Sequence, residues 1–170
     1  MTLNVKHSWN RNHGTFPLTM NPDSALKYPF KLNQDAVTKM IDDIFNGSLS
    51  INHFGNGFHF SSQTAYQTNH RYYYQPIDGD FSPIDGVTII NNYGDDWNKV
   101  KVLTQEFKFS SAASSASPLD WTIGSYLFFQ DNPVKQATHF GNDAAFVGAP
   151  DNNFSTINTA KGKNQGIAFF

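Results

Sequence analysis

Ala65-Tyr66-Gln67-Thr68-Asn69-His70-Arg71-Tyr72-Tyr73-Tyr74 is the stretch that decides the fold class. Read with a period of two, it places Tyr66, Thr68, His70, Tyr72 and Tyr74 on one face and Gln67, Asn69, Arg71 and Tyr73 on the other. That is the pattern of a strand with one face turned to a core. Upstream, Gly57-Phe58-His59-Phe60-Ser61 alternates in the same way and points Phe58 and Phe60 inward. Downstream, strands are expected at Val87 to Asn92, Val100 to Phe109 and Trp121 to Phe129, with shorter ones at Ala144 to Gly148 and Gln165 to Phe170. Turn chemistry separates them at Asp78-Gly79, Asp85-Gly86, Tyr93-Gly94-Asp95, Asp131-Asn132-Pro133 and Ala149-Pro150-Asp151-Asn152.

One segment carries a helical period. Val37, Met40, Ile41, Ile44 and Phe45 recur at i, i+3, i+4, i+7 and i+8 between Asn33, a suitable N-cap, and Gly47, a suitable C′ residue. The spacing predicts an amphipathic helix over about 34–46. Strands at this frequency without intervening helices predict a mainly β chain, an antiparallel sandwich or jelly-roll-like barrel carrying that one helix, as a single domain over 1–170.

Composition agrees. The chain of 170 residues has 18 Asn, 16 Phe, 7 Tyr and 3 Trp, but Glu106 is its sole glutamate, so turn and strand formers outweigh helix formers. A net charge of -2, with Arg11 and Arg71 as the only arginines, argues against a protein that neutralises nucleic-acid phosphates. No apolar run is long enough for a membrane-crossing helix, and no signal peptide is visible. The absence of cysteine excludes a disulfide-stapled module. A weakly charged surface rich in amides suits an extracellular or virion-surface protein.

Hydrolase signatures are missing: there is no Gly-x-Ser-x-Gly elbow, no cysteine nucleophile and no phosphate-cradling glycine loop. The chain therefore reads as non-catalytic. Its aromatic and amide run suggests recognition instead. Asn69, Arg71 and Tyr73, with Asn92, Tyr93 and Trp97 beyond them, pair flat apolar rings with neutral hydrogen-bonding groups, which suits a sugar or a cell-surface receptor. Asp78, Asp80, Ser82 and Asp85 bring oxygens at the spacing that curls around calcium, although the glutamate that completes an EF-hand is missing. The competing reading of this cluster is a pair of Asp-Gly turns whose side chains cap their own backbone.

Two other functions compete with glycan or receptor binding. A hairpin of Val100 to Phe109 and Trp121 to Phe129 has arms long enough to cross a bilayer, as in a pore-forming toxin. Leu103 and Phe107 share a side with Lys99 and Lys101, which interrupts a lipid-facing stripe and puts this reading second. A capsid or fibre protein, with Gly166 to Phe170 buried between copies in a homo-oligomer, is the third.

Overall fold

The computed structural model describes residues 1–13, 22–29, 38–80, 84–112 and 119–170. The mainly β, antiparallel expectation is borne out. Six long strands dominate: β1 (Thr2–His13), β2 (Lys39–Gly55), β3 (Phe58–Tyr73), β6 (Lys99–Ser111), β7 (Thr122–Phe140) and β8 (Phe154–Phe169). Two short strands, β4 (Ile77–Asp78) and β5 (Val87–Ile90), lie in the connection between β3 and β6. All pairings are antiparallel, in the order β1-β2-β3-β6-β7-β8, with β5 continuing the β6 edge of β7 and β4 outside β5. Extensive contact is confined to these hydrogen-bonded neighbours.

The predicted helix is overturned from residue 39 onward. Lys39 to Gly55 is β2, paired with β1 from Lys39 to Ser50 and with β3 from Met40 to Gly55; Asn33 and Val37 lie outside the described residues. The helical period misleads because its apolar residues come as adjacent pairs, Met40-Ile41 and Ile44-Phe45. In a strand, each pair puts one residue on each face. Two flanking strands then supply hydrogen bonds and cross-strand partners that an isolated helix of middling propensity lacks. The short helix that is described, α1 (Pro22–Lys27), lies elsewhere.

Two smaller expectations also fail. Ala144–Val147 is a 3-10 turn rather than a strand, closed by Gly148 at φ 78. The expected turn at Asp131-Asn132-Pro133 runs straight through β7. Proline is tolerated there because β6 has ended: Lys101↔Asp131 is the last β6–β7 pair in that direction. The N–H and C=O of one strand residue face the same edge, and the Pro133 carbonyl accepts the Asn98 N–H at 2.8 Å. The missing N–H therefore faces a gap in the ladder, where no donor is required.

The strand ends divide by type. Asn56-Gly57, with Gly57 at φ 80, closes β2 onto β3 in two residues, and 112–121 joins β6 to β7 at the same end of the sheet. Connections 14–38, 74–98 and 141–153 all emerge at the other end. The described core sits there too: Ile41, Ile77, Ala137 and Ala144 are buried, along with Thr38, His70, Asp78 and Asp80. Gly141 permits a close backbone contact there, since a Cβ would stand 2.3 Å from the Asp85 carbonyl oxygen.

Candidate functional site

Directly paired residues share a face of a sheet, so the register sorts every side chain. One face carries Leu3, Val5 and Trp9 of β1, Phe45, Leu49 and Ile51 of β2, and Phe58, Phe60 and Tyr66 of β3. It continues with Leu103, Phe107 and Phe109 of β6, Ile123, Leu127 and Phe129 of β7, and Ile167 and Phe169 of β8. The opposite face at the same height presents Asn4, Lys6, Asn46, Ser48, Ser61, Gln63, Gln67, Thr104, Glu106, Lys108, Gln130 and Asn164, with Ile44, Phe54, Val102, Tyr126 and Phe128 as its larger apolar members.

The apolar face has no cover among the described residues. Even on central strands Leu103, Phe107, Phe109 and Phe129 are about two-fifths exposed, and on the outer strands Val5 and Ile167 exceed three-fifths. Soluble monomers rarely present so continuous an apolar surface. The register also places His7, His53, Ser62, Thr64, Gln105, Ser125 and Gln165 on this face, and the Gln105 amide is satisfied by neighbours on the sheet. Gln105 Oε1 accepts the Thr64 hydroxyl at 2.5 Å, while Nε2 donates to Ser62 Oγ at 2.9 Å and to the Glu106 carbonyl at 3.0 Å.

Charge on this face is concentrated toward the loop-bearing end. Arg11 forms a two-pronged ion pair with Asp43, Nη1–Oδ1 at 2.5 Å and Nη2–Oδ2 at 3.0 Å. Lys101, Asp131 and Lys163 stand side by side across β6, β7 and β8, followed by Lys99 and Lys161. His70 lies in the same zone, 3.8 Å from Asp95. Burial pushes its imidazole below the ordinary range, Lys99 adds to that, and Asp95 opposes it.

The six residues expected to bind a ligand do not converge on one patch. Asn69, Arg71 and Tyr73 point to the polar face, Arg71 exposed and the other two half-buried. Tyr93 and Trp97 associate with lysines of the apolar-face register: Lys135 Nζ is 4.3 Å from the Tyr93 ring centre, and Lys161 Nζ is 5.1 Å from that of Trp97. Asn92 is exposed, and its side-chain amide donates to the Tyr74 carbonyl at 3.1 Å.

Of the four expected calcium ligands, Ser82 lies outside the described residues. Asp78 and Asp80 are buried and form an Asx turn, with the Asp80 N–H donating to Asp78 Oδ1 at 2.9 Å. Asp80 Oδ2 accepts the N–H groups of Gly86, at 2.9 Å, and Val87. Its other oxygen is buried without a hydrogen-bond partner among the described residues, and burial raises the carboxyl above its ordinary range. Asp85 is exposed, and its N–H donates to Asp143 Oδ2 at 3.1 Å. Among the described residues no group of three or more His, Asp or Glu side chains is arranged to hold a metal ion.

Asn98 is the positional residue that the sequence reading passed over. It sits at φ 54, a left-handed conformation that asparagine tolerates better than most residues. Its side-chain amide donates to the Asn91 carbonyl at 2.6 Å and the Lys135 carbonyl at 3.0 Å, and accepts the Lys135 N–H at 3.2 Å. Its backbone carbonyl accepts the Arg71 N–H at 3.1 Å. One asparagine thus fills the gap between β5 and β6 on the edge of β7, its amide standing in for a strand's peptide group. The signal in the sequence was an asparagine immediately before a strand. Comparison with known protein families, curated proteins and solved structures finds no match.

Proposed function

We propose that this chain forms part of the wall of a membrane-spanning β-barrel, its Leu103–Phe107–Phe129 face toward lipid and its Gln67–Thr104–Glu106 face toward an aqueous interior. The carrying observation is the segregation of side chains by register across all six long strands. The dimensions fit: Phe58 to Tyr66 covers about 27 Å at the ~3.4 Å rise of a strand, close to the ~25 Å apolar band of such barrels. The satisfied amide of Gln105 supports the same reading, because an unpaired polar group in hydrocarbon is costly.

An open sheet edge is equally costly in lipid, so the outer edges of β1 and β8 require further strands. These two strands run in opposite directions, as closure of an antiparallel barrel demands. No described helix is long and apolar enough to cross a membrane; in this reading the strands are the elements that do so. In this reading the recognition expected of Asn92, Tyr93 and Trp97 belongs to the loop-bearing end, where all three sit in the connection between β3 and β6.

The absence of cysteine makes the test direct. Single variants Ser125→Cys, Tyr126→Cys, Leu127→Cys and Phe128→Cys along β7 are refolded into lipid vesicles and treated with a water-soluble maleimide. Labelling is expected at 126 and 128, with protection at 125 and 127. Equal labelling at all four positions, or a chain that stays in solution as a defined species beside the vesicles, overturns the reading.

A further inference from the structure

We infer that the apolar face carries a binding site for the phosphate headgroup of an anionic lipid, built by Lys99, Lys101, Lys161, Lys163 and Trp97 at the border between the apolar band and the loop-bearing end. This rests on the membrane reading above. The five residues line one hollow of about 330 Å³ together with Asp95, Asp96, Asp131 and Pro133. Four lysines against three aspartates thus line a single space, a local excess of positive charge in a chain whose net charge is -2. Diffuse attraction to an anionic surface is therefore not expected, and a preference has to come from a local site.

The carboxylates in the hollow do not neutralise it. Asp131 lies between Lys101 and Lys163 in the register, yet the ion pairs within 4 Å among the described residues are Arg11–Asp43 and His70–Asp95. Asp95 lies 3.8 Å from His70. With Asp96 the lining holds three acids against four lysines, which leaves it one positive charge in excess. Lys161 stands 5.1 Å and the nearby Lys135 5.5 Å from the Trp97 ring centre, which keeps positive charge beside the opening.

A second hollow decides between a lipid and a free phosphate. It shares Lys101, Asp131 and Lys163 with the first and is lined beyond them by Tyr66, Val102, Leu103 and Phe129 with Gln130, Asn164 and Gln165, with a volume of about 250 Å³. A charged chamber beside a partly apolar groove matches a headgroup with its attached acyl chain, whereas a free phosphate has no use for the groove. Basic pockets on membrane proteins hold lipid headgroups by this chemistry, each lysine near an anionic surface contributing about a fivefold preference.

The test is flotation of the refolded full chain with vesicles of phosphatidylcholine alone and of phosphatidylcholine mixed with phosphatidylglycerol. The wild type should prefer the mixed vesicles. The double variant Lys161→Gln, Lys163→Gln should lose about 30-fold of that preference while still binding phosphatidylcholine. Lys6→Gln with Lys108→Gln, the same loss of charge from the opposite face, should keep it. A preference unchanged in the first double variant overturns the site, as does its abolition by inorganic phosphate at constant ionic strength. Equal binding of the wild type to both vesicles overturns the site alone; binding to neither overturns the membrane reading with it.

Discussion

At the loop-bearing end Ile41, Ile77, Ala137 and Ala144 are buried by their own chain, whereas lower on the same sheet Leu103, Phe107, Phe109 and Phe129 remain about two-fifths exposed. The larger and more apolar residues are the ones left uncovered. At the loop end, the described parts of connections 74–98 and 141–153 fold back onto the sheet, and polar side chains such as Asp80 and Asn98 brace them by accepting and donating backbone hydrogen bonds. In the band, adjacent strands and their side chains provide the contacts, and hydrophobic gain from a second layer is absent among the described residues. The loop end thus carries an intramolecular core in miniature. The band is a surface whose partner is its surroundings.

The sharpest way to break this contrast is a charge in the middle of the band. Phe107→Arg replaces a ring flanked by Ser62 and Ser125 in the register. In a bilayer it should cost about 2–4 kcal/mol, read as the shift in urea unfolding of the vesicle-bound chain. Gln67→Arg, on the opposite face, should change that value by less than about 0.5 kcal/mol, as most surface substitutions do. If Phe107→Arg is as mild as Gln67→Arg, the uncovered face meets water and the contrast between the two regions loses its physical meaning.

A smaller effect is expected from Asn98→Ala at the loop end. It removes the side-chain bonds to Asn91 and Lys135 and places alanine at a left-handed φ. Half-buried peptide groups of β7 are left without partners, for a cost of about 2 kcal/mol. Asn98→Gly relieves the backbone strain but not the lost bonds, so it should recover only part of the stability. Full recovery with glycine would show that Asn98 is there for its backbone conformation and not as a bridge.

Much of this architecture was legible one strand at a time. The alternation from Tyr66 to Tyr73 is the alternation that β3 displays, and Val100 to Phe109 falls inside β6. What a single strand conceals is height. Lys99 and Lys101 share a face with Leu103 and Phe107, and along β6 alone they interrupt an apolar stripe. Across the sheet the same lysines align with Asp131, Lys161 and Lys163, and the leucine and phenylalanine with Phe129 and Ser125. A boundary between zones therefore takes the place of a broken stripe. Registers between distant strands decide this, and composition and periodicity do not encode them.

The residues of the expected binding patch divide between the faces for a related reason. Asn69, Arg71 and Tyr73 are near Tyr93 and Trp97 along the chain, but the ladder sends the first group to the polar face and the connection carries the second toward lysines of the other. The segment read as a helix failed because two long-range pairings outweighed a local period.

His70 stands where the two regions meet and offers the gentlest test of the boundary. It is 8% exposed, with Lys99 beside it in the register and Asp95 within 3.8 Å. Burial and Lys99 depress its folded pKa, and Asp95 opposes them without prevailing. The unfolded chain therefore takes up the proton first as pH falls below about 6.5, and stability declines through that window until the folded form is protonated as well. Asp80 has the opposite sign: its raised carboxyl pKa penalises the folded state as pH rises out of the acid range. Comparing wild type with His70→Gln cancels the Asp80 contribution, and the variant should lose the decline below about pH 6.5. Asp95→Asn should move the His70 titration lower still, because it removes the stronger of the two carboxylates that raise it, Asp43 across the ladder being the other. A titration that lies above the ordinary imidazole range in the wild type would mean that the Asp95 pair governs this position, and that the zone between band and loops is solvated rather than closed.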